Sequence, residues 1–307
     1  MRVPFIRGAQ HLVAADSASV AGALLSRRRG RIVRPLMVKA QRCTFAVVVA
    51  ASVLSCRRPV GPATAGQAPW SPGEKPSPWV ILDEARADAA AGRYPDALAK
   101  HVWFFENALK YAPAMYGVRL SYALSDWKAL SDSYPPALEK LKAERDEAGT
   151  KVRESKDSRH SFHDFTSINK VLAEDAKTRD LFLWLDTNSS ATAALVYDLA
   201  QPSLVRAREY RVCGKYLDPD RSLERMIRLY NENQKFASDS EFRQKNLDFA
   251  DKSLSNGVGT LIALLVVNGR TADAKRVADG AMKVRDDSAF RERLQSALRG
   301  EVPPPWP

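Results

Sequence analysis

Between residues 79 and 299 apolar side chains recur at intervals of three and four, and no convincing stretch of strict alternation interrupts them. Leu223, Met226, Ile227 and Tyr230 follow this spacing, as do Phe162, Phe165, Ile168 and the pair Val171 and Leu172. On a helix such a spacing gathers the apolar groups into one stripe, whereas on a strand it scatters them over both faces. The pattern therefore predicts an all-α chain. Helix punctuation agrees: Asp218-Pro219 supplies an N-cap and a first-turn proline, and Gly92 and Gly269 stand where helices should stop. Stretches rich in proline at 57–78 and 300–307 cannot carry a helical ladder of hydrogen bonds and bound the folded body at 79–299.

Successive helices joined by short turns make either a bundle or a solenoid, and a recurring turn decides between them. A helix ends, an aromatic residue or threonine follows, and a small residue stands three positions later. The pattern occurs at Gly92-Arg-Tyr94-Pro-Asp-Ala97, Asp132-Ser-Tyr134-Pro-Pro-Ala137, Arg208-Glu-Tyr210-Arg-Val-Cys213 and Gly269-Arg-Thr271-Ala-Asp-Ala274. This junction resembles that of tetratricopeptide repeats, in which a small residue lets the two helices of a hairpin approach closely. The last copy matches best, with Leu261 and Leu265 before it and Ala281 seven residues after Ala274. The others are degenerate: Phe104 stands where a small residue is expected after Ala97, and residues 140–200 match poorly. The resemblance implies a right-handed helical-hairpin solenoid.

The formal charge of +11 would suggest nucleic acid as a partner if it were spread over a folded surface. It is concentrated at the front instead. Eleven basic residues among the first 58 face one acid, Asp16, which leaves a net charge of +1 for residues 59–307. A balanced body lacks the concentrated basic surface that phosphate binding needs, so no nucleic-acid partner is expected.

The front reads as an address. A basic stretch through Arg42 precedes the apolar run from Cys43 to Ser55, which is shorter than the roughly 20 residues of a membrane-spanning helix. Val53-Leu54-Ser55-Cys56 resembles the bacterial lipobox, although Leu54 is bulkier than the usual residue there. That resemblance implies lipid attachment at Cys56, a signal peptide over 37–56 and a lipoprotein of the cell envelope. A plain signal cleaved nearby is the alternative. Residues 1–36, with the like-charge run Arg27, Arg28, Arg29, Arg31 and Arg34, fit an extension that is disordered or lies upstream of a true start at Met37.

Little in the sequence points to catalysis. His160, His163 and Asp164 fall at i, i+3 and i+4 and would share a helix face, which suits either a metal-dependent enzyme or polar capping at a helix start. Trp103, Phe104 and Phe105, together with His101, are expected in or at the edge of the core, and Cys213 fits packing better than nucleophilic chemistry. Gly257-Val-Gly259 lacks the later glycine of a dinucleotide loop and the lysine of a phosphate loop, and no GxSxG, CxxC or HExxH pattern occurs. The apolar run from Val258 to Val267 is too short to span a membrane and long enough for a buried helix. No cofactor is expected.

The leading expectation is a membrane-tethered adaptor that holds a protein or peptide, with an envelope hydrolase or metal enzyme and a structural spacer as alternatives. Carried back from Tyr134, the repeat frame resembles one in which Arg119, Tyr122 and Asp126 face the ligand. The same frame places Leu120, Leu124 and Trp127 on the buried side.

Overall fold

A computed structural model describes residues 70–238 and 243–306. Cys56, the extension 1–36, the signal segment 37–56 and most of the linker 57–78 lie outside the described residues. Within them the chain is all-helical, as its apolar period requires, with no strand. The helices are α1 (Pro78–Ala90), α2 (Tyr94–Tyr111), α3 (Tyr116–Arg119), α4 (Tyr122–Ser133), α5 (Pro135–Arg153), α6 (Ser158–Val171) and α7 (Asp175–Asn188). They continue as α8 (Ser190–Arg206), α9 (Tyr210–Lys215), α10 (Pro219–Ser238), α11 (Arg243–Val267), α12 (Thr271–Met282) and α13 (Ser288–Leu298). A short 3-10 turn, Pro113–Met115, leads into α3.

All four recurring sequence signatures are helix-to-helix turns. In three the backbone becomes left-handed just after a helix, at Gly92 (φ 78°), Arg208 (φ 62°) and Gly269 (φ 77°), and the next helix opens two residues later. Paired bonds reach back over the helix end: Gly269 N–H donates to the Val266 carbonyl at 2.9 Å and Arg270 N–H to that of Leu265 at 2.8 Å. This arrangement satisfies carbonyls that the helix leaves open. The turn at Tyr134 differs. Tyr134 is extended, and Pro135 starts α5 directly. The small residue three positions on has one fate in all four copies, because Ala97, Ala137, Cys213 and Ala274 have no exposed surface.

A fifth junction of the same form joins α6 to α7. Ala173 takes the left-handed position (φ 56°), Asp175 opens α7, and Thr178 fills the fully buried small-residue position. Its hydroxyl is not wasted there, since Asn169 Nδ2 donates to Thr178 Oγ1 at 3.1 Å.

Helices pack mainly on those one or two places away in the chain: α1 on α2, α2 on α4, α4 on α5 and α6, α6 on α7 and α8. Farther along, α11 is the hub against which α9, α10, α12 and α13 all pack. By length and composition alone α11 could cross a membrane. Its run from Val258 to Leu265 is buried among its neighbours, in keeping with the expected core helix. Gly257 and Gly259 serve close packing, the first against Met226 and the second against Arg293.

Candidate functional site

The first two helical hairpins leave a cleft between them. Its volume is about 260 Å³. Arg86 and Ala89 of α1 form one wall, Asp126, Ala129, Leu130 and Ser133 of α4 the other, and Tyr94 and His101 of α2 close the base. The rim is held by charge: Arg86 Nε donates to Asp126 Oδ2 at 2.8 Å, while the same guanidinium reaches Asp83 at 2.8 Å.

His101 is the chemically distinctive group of the cleft. It is 2% exposed, lies against Trp127 with ring centroids 6.2 Å apart, and its Nδ1 is buried without a hydrogen-bond partner. Burial, assisted by the nearby Arg86 cation, pushes its pKa down to about 4, so the ring is neutral at pH 7. That Nδ1 is closed to solvent, so its missing hydrogen bond is an internal cost of burial. Leaving such a group unmet costs about 1–3 kcal/mol.

A buried ion cluster fixes the geometry behind this cleft. Asp88 of α1 receives Lys100 Nζ at 2.6 Å and Arg93 Nε at 2.9 Å. Burial alone would raise the Asp88 pKa, but hydrogen bonds and charge from Lys100 and Arg93 hold it below the usual carboxylate range. The cluster clamps α1 to α2 at the Gly92 turn, and Tyr94 stacks on Tyr134 of the next junction at 5.9 Å. On the other wall Trp127 Nε1 donates to the Ala137 carbonyl at 2.9 Å, tying α4 to α5.

The expected ligand-facing set divides. Tyr122 and Asp126 lie one turn apart on α4, Tyr122 exposed and Asp126 on the cleft wall. Arg119 does not share their face. The chain breaks at Leu120 and Ser121, so Arg119 ends α3 and turns inward, where it is 8% exposed. Its guanidinium makes two bonds to Asp164, at 2.6 and 2.8 Å, donates from Nε to the Phe105 carbonyl at 2.6 Å, and lies 3.9 Å from the Phe105 ring centroid. An extrapolated continuous helix placed it wrongly. Leu124 and Trp127 are buried as expected, and Leu120 is partly so.

The cluster on α6 is likewise dispersed among separate partners. His160 Nδ1 lies 2.8 Å from Asp157, His163 Nδ1 lies 2.9 Å from the Tyr116 hydroxyl, and Asp164 belongs to Arg119. None of these side chains caps the start of α6, contrary to the capping expectation. Among the described residues no group of three His, Cys, Asp or Glu side chains is placed to hold a metal ion. Phe104 and Phe105 are core residues, while Trp103 is half-buried and stacks on Tyr111 at 5.7 Å. Cys213 is fully buried, and burial raises its thiol pKa to about 11, far from the thiolate a nucleophile needs.

A larger hollow of about 630 Å³ follows α10 past Leu223, Ile227 and Asn231. Only α10 residues line it, so no second element converges polar groups there. The sequence pattern missed the cleft because its key member, His101, sits on an apolar stripe with Leu98 and Phe105. Its missing partner is visible only in three dimensions. No family model, curated protein or solved structure matches this chain.

Proposed function

We propose that this chain is a non-enzymatic adaptor of the bacterial envelope, tethered through a lipid on Cys56, whose cleft between α1 and α4 holds an extended segment of a partner protein. The supporting observation is the cleft itself, walled by α1 and α4, rimmed by the Arg86–Asp126 pair and lined by the neutral His101. Such a rim can exchange its internal ion pair for a carboxylate and an amide of an entering chain.

The reading includes a right-handed solenoid of tetratricopeptide-like hairpins. It is supported by the recurring left-handed junctions, by packing confined largely to chain neighbours, and by contacts between successive junctions. Besides the Tyr94–Tyr134 stack, Asn268 Nδ2 donates to the Tyr210 carbonyl at 2.9 Å. In such a stack the first helices of successive hairpins line one face, and α1 and α4 are the first helices of the first two.

Two measurements test the parts separately. Mass spectrometry of protein extracted from membranes should find an acylated Cys56 as the first residue, and an unmodified soluble mature chain would refute the tether. For the cleft, Ala129→Trp fills the space from an exposed position and should abolish partner capture without lowering the melting temperature. Undiminished capture by this variant would move the binding surface elsewhere.

A further inference from the structure

We propose that the surface formed by α11 and α13 is a receptor for an extended proline-rich segment of a partner chain, and that residues Val302–Trp306 occupy it in cis. The inference is independent of the cleft. It begins at Gly300, whose left-handed backbone (φ 83°) turns the chain back from the end of α13. Val302 then packs on the main core and Pro303 is buried. Gly259 of α11 makes room for this return: a Cβ there would lie 3.3 Å from Arg293 of α13 and 3.8 Å from Pro303.

The backbone of the segment is read by one side chain. Asn256 Nδ2 donates to the Pro304 carbonyl at 2.9 Å, and Asn256 Oδ1 accepts from Trp306 N–H at 3.1 Å. Prolines lack an N–H, so between 303 and 307 Trp306 carries the sole backbone donor, and Asn256 takes it. A side-chain amide that binds a carbonyl and the N–H two residues on suits an extended chain. Consecutive prolines hold that conformation in advance and lose little entropy on docking. Trp306 completes the seat against Phe249, with ring centroids 6.4 Å apart.

The resident segment fits imperfectly. Trp306 Nε1 is buried with no hydrogen-bond partner, and so is Thr260 Oγ1, one turn along α11 from Asn256. A partner segment without an indole N–H to bury unmet, and with a group to meet Thr260 Oγ1, is a better ligand than the one in place. The cis segment then acts as an exchangeable plug that lowers apparent affinity by the fraction of time it is bound.

The test uses the full chain and a labelled peptide with the sequence of residues 301–307. Trp306→Ala, which loosens the plug, should raise peptide affinity by roughly tenfold or more over wild type, the gain expected when a mostly occupied site is freed. Pro304→Gly, at an exposed position, should give a smaller gain without disturbing packing. Adding Asn256→Ala to either variant should remove binding, and a peptide with its prolines replaced by alanine should not bind. Absence of any gain in both folded plug variants, or binding indifferent to Asn256→Ala, would overturn the proposal. A wild-type dimer that dissociates on Trp306→Ala would also overturn it, by identifying the occupant as the segment of a second copy.

Discussion

The region from α1 to α5 and the region from α8 to α13 solve the same packing problem with different chemistry. Every buried charged side chain among the described residues lies in the first: Asp88, Lys100, Arg119, Glu144 and Arg145, with the neutral His101 beside them. Among the described residues of the second, Ser203 and Thr260 are the buried polar side chains, and the rest of its interior is filled mainly by aliphatic and aromatic groups. Charges removed from water must be paired in defined geometry, so the front holds its helices at fixed settings and leaves a cleft between them. The back relies on close apolar contact, which maximises burial, and its hollow is lined by α10 alone rather than by two facing helices. Where a helical array exchanges apolar packing for paired charge, it gives up hydrophobic stabilisation and gains a shaped surface.

The comparison can be broken most forcefully at Arg119. Replacing it with alanine leaves the largely buried Asp164 without its cation and should cost about 3 kcal/mol in denaturant unfolding, at the lower end for a broken buried pair. In the back region Arg276→Ala, which removes the exposed bridge to Asp220, should leave the unfolding midpoint unchanged. Equal effects at the two sites would erase the distinction.

Acid should act on the front for a similar reason. An unfolded histidine takes up a proton near pH 6.5, but His101 in the folded chain does so only near pH 4. Across that window the unfolded state binds more protons, so stability is full above about pH 6.5 and falls as pH drops, by roughly 3 kcal/mol in total. Burial depresses the His163 pKa in the same sense. A His101→Phe variant should show a flatter stability profile between pH 6.5 and 4, and an unchanged slope would remove His101 as its source.

Packing changes should matter more at the back. Ala274 is fully enclosed at the junction of α11 and α12, so Ala274→Leu should destabilise by about 1–3 kcal/mol. An unchanged melting temperature would show that the junction has slack. The smallest effect concerns strain at the turns. Ala173 bears a side chain in the left-handed region, at a cost of roughly 1–2 kcal/mol that Ala173→Gly would relieve, offset in part by the freedom glycine adds to the unfolded chain. A modest rise in melting temperature is expected, while Gly269→Ala at the equivalent turn should lower it.

Much of the back region was legible in the sequence because its rules are local. Gly269 is a helix stop, Ala274 a close-approach residue, and the apolar run to Val267 a buried helix. All follow from residue type and spacing. The junction at Ala173 was not legible because Asp175 stands where the other copies have an aromatic residue or threonine, and threonine takes the small position. Thr178 is tolerated there only through its bond to Asn169, a pairing that spacing does not announce. The front was less legible for another reason. Arg119 looked solvent-facing on an extrapolated helix, but its partner Asp164 is 45 residues away, and no periodicity links them. His101 was expected at the core or its edge, yet its place in the lining of a cleft depends on how α1 and α4 are set apart.

The central claim is that the charged front forms its cleft in order to hold a partner segment. The most direct test places a photo-activated cross-linking residue at Ser133, on the cleft wall, and at Leu195, an exposed position on α8, in the full chain expressed in cells. The adducts are then mapped by tandem mass spectrometry. The account predicts a single recurrent partner peptide joined at position 133, absent at 195, and lost when Ala129→Trp fills the cleft. The same adducts at both positions, or an adduct at 133 that survives filling of the cleft, would contradict it.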